Sequence, residues 1–134
     1  MIQMDNDSIE AAHQIIRDSD RVLVVSHIRP DGDAVGSVLG LGLALLAVGK
    51  DVQMVLQDGI PKSFRHLTGN DQVVQNATYS YDCSIVVDCS DLIRTGNVFE
   101  NNTIPDINID HIHATNANEI AFFQHSKQFG LKSG

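Results

Sequence analysis

The chain has 134 residues, 43% of them hydrophobic and 19% charged, with a formal net charge of -8. These values describe a single globular domain with a buried core and exclude a disordered chain. The acidic balance argues against a surface that coats nucleic acid, which would be basic. It stays compatible with a small anionic substrate held through metal ions.

The two cysteines, Cys83 and Cys89, are too few for a disulfide framework and are expected as buried thiols in a reducing cytoplasm. Met1 to Asp5 shows no basic region followed by an apolar one, so no signal peptide is expected. The longest apolar run, Ala34 to Val48, falls short of the roughly 20 residues that cross a bilayer and is expected as a core helix. A cytoplasmic protein with no membrane partner follows.

Asn6-Asp7-Ser8 offers caps for a first helix, with Ile9, Ala12 and Ile16 on one face. Arg21 to Ser26 is aliphatic without alternation, as in a strand buried on both faces of a parallel sheet. A helix from about Ala34 to Val48 follows, closed by Gly49, and then a second strand over Asp51 to Leu56. Pro61 can open a short helix through Leu67, with Gly69-Asn70 as its stop. Ser84 to Asp88 is a further apolar strand ending in a carboxylate. Asp91 to Phe99 can hold a short helix, and Ile104 to Ile109 a last strand leading into Asp110-His111. Strands alternating with helices imply right-handed crossovers and an α/β fold, a Rossmann-like parallel sheet flanked by helices.

In that fold the chemistry-bearing residues converge. His27, Asp31 and Asp33 follow the first strand, Asp88 ends a later one, and Asp110 and His111 end the last. Open α/β sheets bind ligands at the carboxyl edge of their strands, beside the topological switch point. Each element alone has an ordinary explanation. His-x-x-x-Asp-x-Asp can be a turn with Asp33 capping a helix, Asp88 a strand-end cap and His111 a core histidine. Together they form a nitrogen and oxygen ligand set suited to Mn²⁺, Mg²⁺ or Zn²⁺, without thiolates. A central carboxylate such as Asp88 can bridge two ions about 3.5–4 Å apart, the spacing of two-metal hydrolases.

These residues resemble the DHH phosphoesterase superfamily. Ser26-His27-x-x-Pro30-Asp31-Gly32-Asp33-Ala34-x-Gly36-Ser37 is similar to its first motif, and Val86-Val87-Asp88 to its second. Asn108-Ile109-Asp110-His111, with His113 and Thr115-Asn116, resembles the motif that names the family. The Pro-Asp-Gly-Asp-Ala form is most similar to the branch of short-oligoribonucleotide exonucleases and 3′-phosphoadenosine 5′-phosphate phosphatases.

The resemblance implies two Mn²⁺ ions, with Mg²⁺ as the substitute. His27, Asp31 and Asp88 would hold one, and Asp33, Asp88 and His111 the other. Asp110 would orient an imidazole from behind the metal. The family's second histidine faces the scissile phosphate. Here the chain reads Asp110-His111-Ile112-His113, a one-residue insertion that leaves His113 as the candidate for that role, so His111, His113 and Asp110 form the expected catalytic group. The family's downstream aspartate and glycine-rich substrate domain have no counterpart. Residues 1–116 therefore read as a partial catalytic domain and 117–134 as a non-matching tail. The implied partners are short RNA or a nucleotide phosphate, with a homodimer allowed. Two functions follow: a Mn²⁺-dependent phosphoesterase, or an incomplete or degenerate domain that binds metal with little or no catalysis.

Overall fold

The computed structural model describes residues 6–99 and 104–109. The expected α/β fold is what forms. Helix α1 (Asn6–Arg17) precedes β1 (Arg21–Val25), α2 (Gly32–Ala47), β2 (Asp51–Val55), β3 (Val73–Val74), β4 (Cys83–Val87) and β5 (Ile107–Ile109). Every strand pairing is parallel, in the order β3-β2-β1-β4-β5. The chain builds outward from β1 through β2 to β3, then returns to the other side of β1 for β4 and β5. The order reverses between β1 and β4, which places the switch point there.

The unalternating strands are explained by burial on both faces. Val22, Val24, Met54, Ile85 and Val87 join Val35, Val38 and Leu39 of α2 in one core cluster, and Ala12, Ile15 and Ile16 of α1 pack against it. On the other face Leu23, Val25 and Val55 pack with Tyr81, Val98 and Phe99. Helix α2 approaches β2 closely: a β-carbon at Gly42 would lie 2.2 Å from the Met54 sulfur. Past its last residue, Ala47, the helix is closed by Gly49, with φ of 90°, where the N–H of Lys50 bonds the carbonyl of Leu45 and that of Gly49 the carbonyl of Leu46. This double bond pattern satisfies carbonyls that a helix end otherwise leaves open.

Two buried polar groups fasten the connections. Gln53 of β2 is 5% exposed; its amide nitrogen donates to the Tyr79 carbonyl and its oxygen accepts the Thr78 N–H at 2.7 Å. Asp106 accepts the Ser84 N–H at 2.9 Å, while the Asp106 N–H donates to the Ser84 hydroxyl and carbonyl, each at 3.0 Å. This pins the entry to β5 against β4.

The elements depart from expectation at their ends. Helix α2 starts two residues early because Asp31, not Asp33, is its cap. The segment from Pro61 to Leu67 makes one 3₁₀ turn, Lys62–Phe64, and that from Asp91 to Phe99 another, Leu92–Thr95. Segments this short do not recover the cost of nucleating an α-helix. The last strand loses its first three residues. Pro105 has no N–H to offer a parallel neighbour. Strand β3 was not foreseen.

Candidate metal centre

Two and six residues past β1, and one past β4, the chain assembles a compact cluster. Strand register prepares it: Val25 pairs with Val86, so two further steps bring His27 level with Asp88 across the switch point. His27, Asp31 and Asp88 each offer one ligand atom, and these atoms lie within 4.8 Å of one another. The side chain of His27 is 7% exposed and that of Asp88 15%, whereas Asp31 is 67% exposed at the rim.

The imidazole is set for coordination. His27 Nδ1 lies 2.7 Å from the Ile28 carbonyl oxygen. A carbonyl only accepts, so Nδ1 carries the proton and Nε2 keeps its lone pair in the neutral ring. Nε2 faces Asp31 Oδ1 at 3.8 Å and Asp88 Oδ2 at 3.9 Å. Both separations exceed a hydrogen bond and leave room for a cation between the atoms. One imidazole nitrogen and two carboxylates, with no thiolate among them, suit a divalent ion of intermediate to hard character. The neighbouring thiol is engaged elsewhere: Cys89 Sγ donates to the Asp91 carbonyl at 3.1 Å.

Local backbone fixes each ligand. Asp31 caps α2, accepting the Ala34 N–H on Oδ1 at 2.9 Å. Its charge is favoured there by the helix N-terminus. Asp88 sits at φ 51°, and its N–H bonds the Ile109 carbonyl at 2.9 Å. Such left-handed backbone costs an L-residue roughly 1–2 kcal/mol, though aspartate tolerates it better than most. The buried aliphatics of β1, at about 1.5–3 kcal/mol each, far outweigh that cost. The cluster is also cheaper than its composition implies, since Asp31 and Asp33 are exposed at the helix start.

Beside Asp88, an open groove of about 330 Å³ runs between α2 and the ends of β4 and β5, lined by Gly36, Ser37, Gly40, Leu41, Val87, Asp88 and Ile109. It gives the cluster a concave neighbour on the ligand-binding edge of the sheet.

Residues 21–129 match the family model described as the DHH family, N-terminal domain. The chain belongs to the DHH family. Its DHH fold also matches the crystal structure of an exopolyphosphatase-related protein from Bacteroides fragilis, at a TM-score of 0.71 and 24% sequence identity. That match covers 86% of this chain and 37% of the neighbour, so the chain spans well under half of the larger protein. No curated protein matches the chain. It thus carries a phosphoesterase-like DHH domain, and no helix among its described residues is long and apolar enough to cross a membrane.

Of the residues singled out in the sequence, His27, Asp31 and Asp88 come together. Asp33 does not join them; it is an exposed residue in the first turn of α2. Asp110, His111 and His113, and the boundary at Asn116, lie outside the described residues. The structure adds residues that motif reading passed over. Asp58 accepts the Arg29 N–H at 2.7 Å, and the Arg94 carbonyl accepts the Ile28 N–H. The Asp-Gly pair that follows β2 at the same sheet edge was the available signal for Asp58.

Proposed function

We propose that the chain is the metal-binding half of a Mn²⁺-dependent phosphoesterase whose substrates are short oligoribonucleotides or nucleotide 3′-phosphates. The observation that carries this reading is the cluster of His27 Nε2 with Asp31 and Asp88 at the switch point of a DHH-family sheet. A divalent ion bound there supplies Lewis-acid polarisation of a phosphoryl oxygen.

The remaining work belongs to the chain's own groups. His27, with its Nδ1 proton committed to the Ile28 carbonyl, presents Nε2 without rotating. Asp31 is anchored by the helix it caps, and Asp88 by its N–H bond to β5. Preorganised ligands of this kind need little rearrangement when the ion enters. The roles assigned to Asp33, Asp110, His111 and His113 are part of the same proposal.

A second reading is favoured by one observation: the described residues gather ligand atoms for one ion, at His27, Asp31 and Asp88. Under it the chain holds a single ion and turns over little. Mn²⁺ titration of the full chain by calorimetry separates the two, with two sites expected for the phosphoesterase and one for the degenerate domain. Assays on a short oligoribonucleotide, a nucleotide 3′-phosphate and inorganic polyphosphate, the last suggested by the structural neighbour's name, then test turnover. Asp88→Asn serves as control. Equal rates for wild type and control would overturn the enzymatic reading.

A further inference from the structure

Two described non-glycine residues have positive φ: Asp88 at 51° and Arg29 at 50°. Asp88 belongs to the metal cluster. Arg29 lies inside the turn whose two ends, His27 and Asp31, supply the other cluster atoms. A guanidinium has donors only and cannot ligate a cation, so metal binding does not explain it. Glycine would take this backbone without strain.

The strained turn is held from both sides. The Asp58 carboxylate, from the loop after β2, accepts the Arg29 N–H at 2.7 Å. The Arg94 carbonyl, from the loop after β4, accepts the N–H of Ile28. Strain that neighbouring loops maintain at a functional edge points to the side chain it positions. That side chain is exposed, and the ion pairs among the described residues all involve His27 and leave the Arg29 guanidinium unmatched.

We propose that Arg29 grips the substrate phosphate at the metal cluster, its guanidinium donating N–H bonds to two non-bridging phosphoryl oxygens. The proposal rests on the phosphoesterase reading above. An anion approaching Asp31, Asp33 and Asp88 meets like charge on every side. Arg29 places a permanent cation on the same turn, and its planar fork matches two oxygens of one phosphate where a lysine offers a point charge.

The test uses the full chain and inorganic phosphate, read by calorimetry before and after loading with Mn²⁺. Wild type is compared with Arg29→Ala, Arg29→Gly, Arg29→Lys and, at the opposite end of the sheet, Arg17→Ala. Mn²⁺ affinity is expected to stay within about twofold throughout. Phosphate affinity of the loaded protein is expected to fall at least tenfold in Arg29→Ala and Arg29→Gly, less in Arg29→Lys, and not in Arg17→Ala. Arg29→Gly is the decisive variant, since it relaxes the backbone and should melt no lower than wild type while still losing phosphate. Wild-type phosphate affinity in both truncations would overturn the proposal alone, as would a wild type that takes up Mn²⁺ and no phosphate. A wild type that takes up no Mn²⁺ would overturn the phosphoesterase reading and this proposal with it.

Discussion

Asp31 Oδ1 serves two neighbours at once, accepting the Ala34 N–H at 2.9 Å and facing His27 Nε2 at 3.8 Å. The same oxygen starts a helix and borders the metal cluster. Stability and metal affinity are therefore coupled at this position, and two substitutions uncouple them. Asparagine keeps the cap but not the charge, so Asp31→Asn should melt close to wild type and bind Mn²⁺ at least tenfold more weakly. Asp31→Ala loses both and should cost about 1 kcal/mol of stability in addition. Thermal melts paired with calorimetry read the two effects separately.

Asp88 offers a second contrast, set by its φ of 51°. Asp88→Gly and Asp88→Ala both remove the ligand, so both should abolish binding at the cluster. They should differ in stability, because alanine in left-handed backbone is strained and glycine is not. We expect Asp88→Gly to be the more stable by about 1 kcal/mol in denaturant melts. The reverse order would mean that the turn relaxes once the carboxylate is gone.

Metal binding should register as stability. Three ligand groups gathered in the folded chain are dispersed in the unfolded one, so the ion binds the native state selectively. At a hundredfold excess over the dissociation constant, Mn²⁺ should contribute about 2.7 kcal/mol. For a domain of this size that is on the order of 10 °C in Tm. Chelator should reverse the shift, and His27→Ala should remove it.

Far from the cluster, burial and then the Asp106 charge push the Cys83 thiol up to about 12. Its pKa is raised on folding, so between pH 9 and 12 the unfolded chain has released this proton while the native one retains it. Stability is fully present below the unfolded value and falls as pH rises through that window. Native Cys83 should also resist maleimide at pH 8 and react only after denaturation. Cys83→Ala should flatten the alkaline decline in a pH series of urea melts.

Much of this was legible from residues alone because it rests on two robust signals. Unbroken aliphatic runs such as Val22 to Val25 mark strands covered on both faces, and polar residues placed just after them fall on one sheet edge. His27, Asp31 and Asp88 were found that way. What escaped depends on chain contacts that no local pattern encodes. Whether Asp31 or Asp33 caps α2 is decided by where the turn delivers the backbone, and either residue type would serve. Val73–Val74 is a strand only because β2 lies alongside it, with Met54 and Val55 as partners. The truncation of the last strand at Pro105 was readable, since a missing N–H is a property of the residue itself.

The Gln53 amide has a dynamic consequence. By binding the N–H of Thr78 and the carbonyl of Tyr79, it ties the long return from β3 to β4 to the interior of β2. The Thr78 amide therefore cannot exchange with solvent deuterium on the timescale of an ordinary surface loop. It must wait for β2 to open, so loop and sheet breathe as one cooperative unit. Gln53→Ala would split that unit, freeing the crossing while the strands beneath it stay closed.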